Sequence, residues 1–353
     1  SKIIKKTLDP LSSEKRVDVL IIDDSVYGRN RSKKAELLSK IFDHANKRYL
    51  WGFRMLTLGW SDGTSFVPVN SVLMSSENPK NRHNDNIALD KRTSGYRQRE
   101  LAMRKATETM LELIKEAKKA AIPAKYVLFD SWFTSPKSLH AVKGLGYDVI
   151  AMVKKMPKVR FLCDGVPKTI AEIYQANKKR RGRSKYLLSV TVGVEKEGKT
   201  IPAKVVYVRN RGNAKEYLCI ISTDTSLDER EIIRIYGKRW QIEEFFKVCK
   251  SYLKLGKEFR VLSYDAMTAH TAVVFVRYML FAIEHRISED QRTFGELFFM
   301  VSDEIADIVW TEAFMQLTTM FEEILRNDLE ISEDTISVLA SKFISNLPAV
   351  VRN

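Results

Sequence analysis

Apolar positions in the first third of the chain fall in short runs, not long periodic stretches, and that spacing predicts strands. Val17 to Ile22 is an apolar run broken only by Asp18, short enough for one buried strand, and it stops at Asp23-Asp24-Ser25. A loop rich in Arg and Lys follows. Tyr49 to Leu58 and Ser65 to Leu73 are rich in aromatic and β-branched residues around Gly59-Trp60-Ser61-Asp62-Gly63, the pattern of a hairpin, so three antiparallel strands are expected. Residues 75–95 are polar and irregular and read as a flexible loop. A helical period then runs from Tyr96 to Ala120, where Leu101, Met110, Leu111 and Ile114 recur among Glu and Lys, and Pro123 follows its end.

Tyr126 to Phe129 reads as a short buried strand running into Asp130-Ser131-Trp132-Phe133, followed by a helix after Pro136 and a strand at Tyr147 to Val153. From Lys154 to about Thr223 the texture changes. Alternating stretches at Tyr186 to Val194, Ile201 to Val208 and Glu216 to Ile221 predict a small antiparallel β subdomain. Helices resume at Leu227 to Leu253 and at Ala266 to Glu284. The remainder is helical in pattern and more acidic, with Asp303, Glu304, Asp307, Glu322 and Glu323, which suits packing or self-association better than binding a polyanion. The chain thus divides into 1–153, 154–223, 224–288 and 289–353, an α/β protein with a β-rich insertion and a helical C-terminal region.

Composition narrows the partners. At 353 residues and 44% hydrophobic content the chain can bury a sizeable core, and 59 Lys plus Arg against 44 Asp plus Glu leave a formal charge of +15. Such a field favours a polyanion, with nucleic acid ahead of an acidic membrane. The densest basic run is Lys178-Lys179-Arg180-Arg181-Gly182-Arg183, a phosphate-contacting loop or a solvated one. The most apolar stretch, Ala272 to Ile283, is interrupted by Arg277, so a membrane span is not expected. Cys163, Cys219 and Cys249 are isolated, which argues against a disulfide framework or zinc site and fits a reducing cytoplasm. The N-terminus, Ser1-Lys2-Ile3-Ile4, carries neither Met nor a signal core, and a natural N-terminal region is expected before it.

The segment Ile235 to Lys250 carries the chemistry. On one continuous helix at about 100° per residue, Tyr236, Arg239, Glu243, Lys247 and Lys250 fall within roughly 80° of one another beside an apolar stripe of Ile235, Ile242, Phe246 and Cys249. Glu244 lies about 100° off that edge. A carboxylate flanked by cations can bind a metal ion while its neighbours hold phosphates; a salt-bridged surface helix has the same look. His44 and His83 read as structural. Trp240 is either a base-stacking or a core residue, and Trp132 is equally open.

The order of strand ending in Asp23, two strands, helix, strand ending in Asp130 and distant helix with Glu243 resembles a ribonuclease-H-like core. More narrowly, Tyr236, Arg239, Glu243 and Lys250 match the Tyr-x-x-Arg-x-x-x-Glu-x-x-x-x-x-x-Lys signature of DDE transposases of a bacterial insertion-sequence branch. Ile22-Asp23-Asp24-Ser25 and Phe129-Asp130-Ser131-Trp132-Phe133 are similar to that family's first and second motifs. The family pattern alone favours Asp23 over Asp24. The resemblance implies a mixed sheet flanked by helices, with residues 1–153 and 224–288 as the two parts of the catalytic core. It implies that Asp23, Asp130 and Glu243 ligate two Mg²⁺ ions, replaceable by Mn²⁺, for in-line attack on phosphodiesters. Arg239 and Lys250 would hold phosphates, Tyr236 would position the backbone, and Trp240, Lys247, Lys179, Arg180 and Arg181 are further candidate DNA contacts. It also implies double-stranded DNA as partner, both transposon ends and target, a homodimer on two ends, and a cytoplasmic, nucleoid-associated bacterial enzyme. A nuclease that only hydrolyses, or an idle DNA-binding descendant, are the alternatives.

Overall fold

The structure, a computed structural model, describes residues 2–8, 16–44, 46–84, 89–180, 184–210, 212–213, 216–257, 259–287, 296, 318–319, 321–326 and 331–345. The chain forms two compact units, 1–291 and 292–353.

The first unit is built on one mixed sheet. The strands before its first long helices are β1 (Val19–Gly28), β2 (Leu38–Asp43), β3 (Arg48–Ser61), β4 (Phe66–Met74) and the two-residue β5 (Arg82–His83). α1 (Ser94–Ala102) and α2 (Ala106–Lys119) lead to β6 (Tyr126–Phe129), α3 (Pro136–Gly144) and β7 (Asp148–Met152). β3 pairs antiparallel with both β1 and β4, while β1, β6 and β7 run parallel. Val19 to Ile22, Tyr126 to Phe129 and Val149 to Ala151 are buried throughout, as expected of parallel strands covered on both faces. This is the mixed sheet flanked by helices that a ribonuclease-H-like core requires.

Residues 154–223 do not leave that sheet. After β8 (Phe161–Cys163), β9 (Val166–Lys168) and α4 (Ile170–Ala176), the strands β10 (Leu188–Lys196), β11 (Lys199–Arg209) and β12 (Tyr217–Ser222) extend it edge to edge, because β12 pairs antiparallel with β7 through Ile220–Met152 and Ile221–Ala151. Tyr207 is fully buried under Tyr174 and Tyr217 and donates its hydroxyl to Ile170 O at 2.9 Å, tying α4 to the strands.

Three expectations about elements need correction. β1 runs on past Asp23 to Gly28, because β3 opposite it is fourteen residues long and offers ladder partners as far as Gly52. The helix expected at Tyr96 to Ala120 is two helices, interrupted at 103–105. There the buried Thr109 hydroxyl of α2 bonds Leu101 O at the end of α1 at 2.9 Å. The helix expected at Leu227 to Leu253 is also two, α5 (Glu229–Gly237) and α6 (Trp240–Ser251). The polar stretch 75–95 holds a 3₁₀ turn at Pro79–Asn81 and β5, while 85–88 lie outside the described residues.

α7 (Tyr264–Ile287) is, among the described residues, the one helix long and apolar enough by length and composition to cross a bilayer, with a mean hydropathy of 1.5 over its most apolar 18-residue window. Arg277 therefore did not interrupt it as expected. Tyr264, Met267, Val274, Phe275 and Tyr278 nevertheless bury one face in the core, where Phe275 and Tyr278 pack edge-on against Phe245 of α6. In the second unit, a helix spans Glu333–Ser345 and Glu333 pairs with Arg326 at 2.5 Å. Asp303, Glu304 and Asp307 lie outside the described residues.

Candidate active site

Strand register brings the first two carboxylates together. β1 and β6 run parallel with Ile22 opposite Phe129, so the next residue on each is an aspartate, Asp23 and Asp130. Asp130 opens a tight turn in which its Oδ1 accepts from Ser131 N at 2.6 Å and its carbonyl accepts from Phe133 N at 3.1 Å. That turn buries Phe133 and leaves Trp132 69% exposed.

Side-chain alternation separates Asp23 from Asp24. Asp24 is bound by Arg54 of β3 through Nε at 2.9 Å and Nη2 at 2.5 Å, a two-point pairing that saturates the carboxylate. Asp23 instead faces α6, with Ser25 two residues on, which accepts from Lys250 Nζ at 2.7 Å.

The third carboxylate arrives through a bend, not a straight helix. Lys238 N bonds Ile235 O and Arg239 N bonds Tyr236 O, both at 3.0 Å, and Gln241 N bonds Lys238 O at 3.1 Å. These i to i−3 bonds wind the chain more tightly than an α-helix, so the single-wheel placement of Tyr236, Arg239 and Glu243 does not hold as drawn. The bend is clamped from outside. Lys238 Nζ donates to Val17 O at 2.5 Å and Asp62 O at 3.1 Å; Gln241 takes the Ser61 hydroxyl and donates to Gly63 O at 3.2 Å. The β3–β4 hairpin thus sets where α6 begins. Neither Lys238 nor Gln241 was assigned a role from the sequence, where nothing local marks a contact to a hairpin more than a hundred residues away.

From the bend, Arg239 reaches both carboxylates: Nη1 to Asp23 Oδ2 at 3.2 Å and Nη2 to Glu243 Oε1 at 2.5 Å. Glu243 is 36% exposed and Asp23 19%, whereas Glu244 points to solvent. Burial pushes the Asp23 carboxyl up to about 7 despite the opposing pull of Arg239, and Asp24 and Asp130 add to the rise. Tyr236 is buried beside Arg239, its ring centroid 5.9 Å from the guanidinium carbon, and its hydroxyl has no hydrogen-bond partner among the described residues. Burial raises the Tyr236 phenol, with Asp130 and Asp23 contributing. Burial lowers Lys250, against the pull of Asp43 and Asp24.

The remaining candidates sort by position. Trp240 is 59% exposed, which removes the core reading, and Lys247 is exposed on α6. Lys179 and Arg180 lie just before β10, stacked on Tyr174 at 4.6 Å and Tyr186 at 4.4 Å. Four strand steps from β6 put β10 about 19 Å across the sheet from the Asp130 strand. Arg181 lies outside the described residues. His44 packs edge-on against Phe42 and His83 against Trp51, as structural histidines do.

With this geometry goes a family match: residues 1–214 match the family described as DDE superfamily endonuclease. The chain belongs to that family. The matched stretch holds Asp23 and Asp130 and ends before α5, so Glu243 joins the pair through the structure. No curated protein matches the chain. DDE endonucleases generally use divalent metals and act on DNA. Among the described residues no three His, Cys, Asp or Glu side chains are gathered closely enough to hold a metal ion. The donor set is nonetheless suited to one: Asp23 and Glu243 already converge on a single cationic group, the Arg239 guanidinium, and carboxylate oxygens are the hard donors Mg²⁺ and Mn²⁺ prefer. Rotation of Arg239 toward an incoming phosphate would free both carboxylates for a cation.

Proposed function

We propose that this DDE endonuclease is a transposase that cuts DNA at the ends of a mobile element and joins the freed 3′ hydroxyl to target DNA. The observation that carries the reading is Arg239 spanning Asp23 and Glu243 while Asp130 stands next to Asp23 in register. Asp23, Asp130 and Glu243 would hold two Mg²⁺ ions, with Mn²⁺ able to substitute; bound there, the metals would supply Lewis-acid charge for an in-line displacement at phosphorus.

The chain's own groups divide the remaining work. Arg239, released from the carboxylates, holds a phosphate oxygen through its planar fork, which suits two oxygens at once. Tyr236 offers its unpartnered hydroxyl to the DNA backbone, and Lys250 places a second cation along β1. Trp240 and Trp132, both exposed beside catalytic positions, are placed to stack on bases. Lys247 contacts the backbone from the same helix, and Lys179 and Arg180 meet DNA farther from the reacting phosphate, with Arg181 next to them in sequence a further candidate contact. Since both ends of an element must be cut together, the working form is a homodimer on two ends, acting in the bacterial cytoplasm.

The test is incubation of the purified chain with labelled end DNA of its own element and a plasmid target, with Mg²⁺ or with chelator. Metal-dependent nicks with joined products support the transposase reading. Nicks without joining give a hydrolytic nuclease, and binding alone gives an idle descendant. Glu243→Gln should retain DNA binding and lose cleavage; cleavage unaffected by it sinks the site assignment.

A further inference from the structure

A second basic surface lies along the same strand as Asp23 and away from the carboxylates. Beyond Gly28 the chain turns through 29–34, and this turn faces Gly256, Lys257 and residues 259–262 across a groove of about 1440 Å³, with Arg48 and Leu50 of β3 at its side. Arg29, Arg31, Lys33 and Lys34 line one wall. Lys257 and Arg260 line the other, and none of the described lining residues is acidic. Among the described residues none of these cations, nor Arg48, sits in an ion pair, whereas Arg54, Arg99 and Arg239 nearer the core all do. Seven like charges around one groove repel one another, and an anion relieves that repulsion.

The groove is also built. Arg29 Nη1 donates to Phe259 O at 2.7 Å, and its guanidinium carbon lies 5.6 Å from the ring centroids of both Tyr27 and Phe259. Its Nε and Nη2 are buried with no hydrogen-bond partner among the described residues. A guanidinium held this way has donors to offer an incoming acceptor such as a phosphate oxygen. Phe259 stacks in turn on His270 at 4.3 Å, which ties it to α7. The space exceeds the roughly 300–1,000 Å³ of ordinary small-molecule sites. An extended polyanion suits it better.

We propose that this groove binds the phosphate backbone of duplex DNA, as a site separate from the catalytic carboxylates. The proposal rests on the reading of the chain as a DNA-cleaving enzyme and adds where the duplex is gripped. Five strand residues separate Asp23 from Gly28, about 17 Å at the rise of a strand. At 3.4 Å per base pair, the groove meets the backbone about five base pairs from the phosphate at Asp23.

The test measures equilibrium binding of a labelled duplex by the full chain in chelator over a range of salt. Arg31→Glu with Lys34→Glu, both exposed in the native chain, should weaken binding at least tenfold and reduce the slope of log K against log salt by about 2, at about 0.9 per lost phosphate contact. Lys105→Glu with Lys119→Glu, exposed at the two ends of α2, carries the same charge change and should leave the slope nearly unaltered. Methylphosphonate substitution of the duplex needs no variant: neutral phosphates about five base pairs from the cut should weaken wild-type binding more than neutral phosphates elsewhere. Wild-type binding with a groove variant indistinguishable from the α2 control overturns the groove alone. Absence of duplex binding by the wild-type chain overturns the DNA-cleavage reading together with it.

Discussion

Arg54 grips Asp24 with two nitrogens at 2.9 and 2.5 Å, while Asp23 next to it turns to the opposite face of β1 and meets Arg239. Two adjacent carboxylates therefore have different employments. Asp24→Asn should cost about 2 kcal/mol of stability through the lost charged pairing and leave metal-dependent cleavage measurable at low temperature. Asp23→Asn should abolish cleavage. Urea denaturation and a nicking assay on both variants check the pair, and a reversed pattern would exchange the two assignments.

Burial of Asp23 also predicts a pH dependence. Its folded-state pKa of about 7 lies above the unfolded value of about 3.9, so the favourable, protonated folded form is fully populated below about pH 4, and its contribution is lost as pH rises through 7. Three units correspond to about 4 kcal/mol. In chelator, Asp23→Asn should match the wild-type chain in stability near pH 4 and exceed it at pH 8 by up to that amount. Equal stability at pH 8 would show that Arg239 fully compensates the charge.

Removing Arg239 separates its two partners from their cation. Arg239→Ala should bind Mn²⁺ more tightly than the wild-type chain in the absence of DNA, because Asp23 and Glu243 are left without neutralisation. It should also cleave DNA at least a hundredfold more slowly. Titration calorimetry with Mn²⁺ reads the first effect, and weaker metal binding by the variant would contradict the exchange of guanidinium for metal.

The clamp on the bend is testable apart from the chemistry. Gln241→Ala removes the contacts to Ser61 and Gly63 and should lower kcat severalfold with KM little changed, since the group touches the hairpin and not the substrate. Gln241→Glu keeps the acceptor for Ser61 and should recover part of the loss. A variant changed in KM alone would instead place Gln241 against DNA.

Trp240 and Trp132 are exposed, so replacing either with Ala should alter stability by no more than about 0.5 kcal/mol. Any loss of cleavage then reports contact with DNA. Unchanged cleavage in both would remove stacking from the mechanism.

The sequence by itself determined a good deal. Continuous apolar runs at Val19 to Ile22 and Tyr126 to Phe129 mark buried strands because their pattern is local, and an aspartate after each run marks where a strand leaves the core. Alternation at Tyr186 to Val194 and Ile201 to Val208 likewise announced antiparallel strands, which pair as β10 and β11. What lies between elements was not legible. Nothing local says that β12 will pair with β7 and make the insertion part of the core sheet, since that choice depends on an edge supplied seventy residues earlier. Helical periodicity carried straight through 237–240, while contacts from Asp62, Ser61 and Gly63 of the distant hairpin hold the chain there in a tighter turn. The choice between Asp23 and Asp24 was also tertiary: both are equally acidic in the chain, and only Arg54, thirty residues away on the neighbouring strand, takes one of them out of the site.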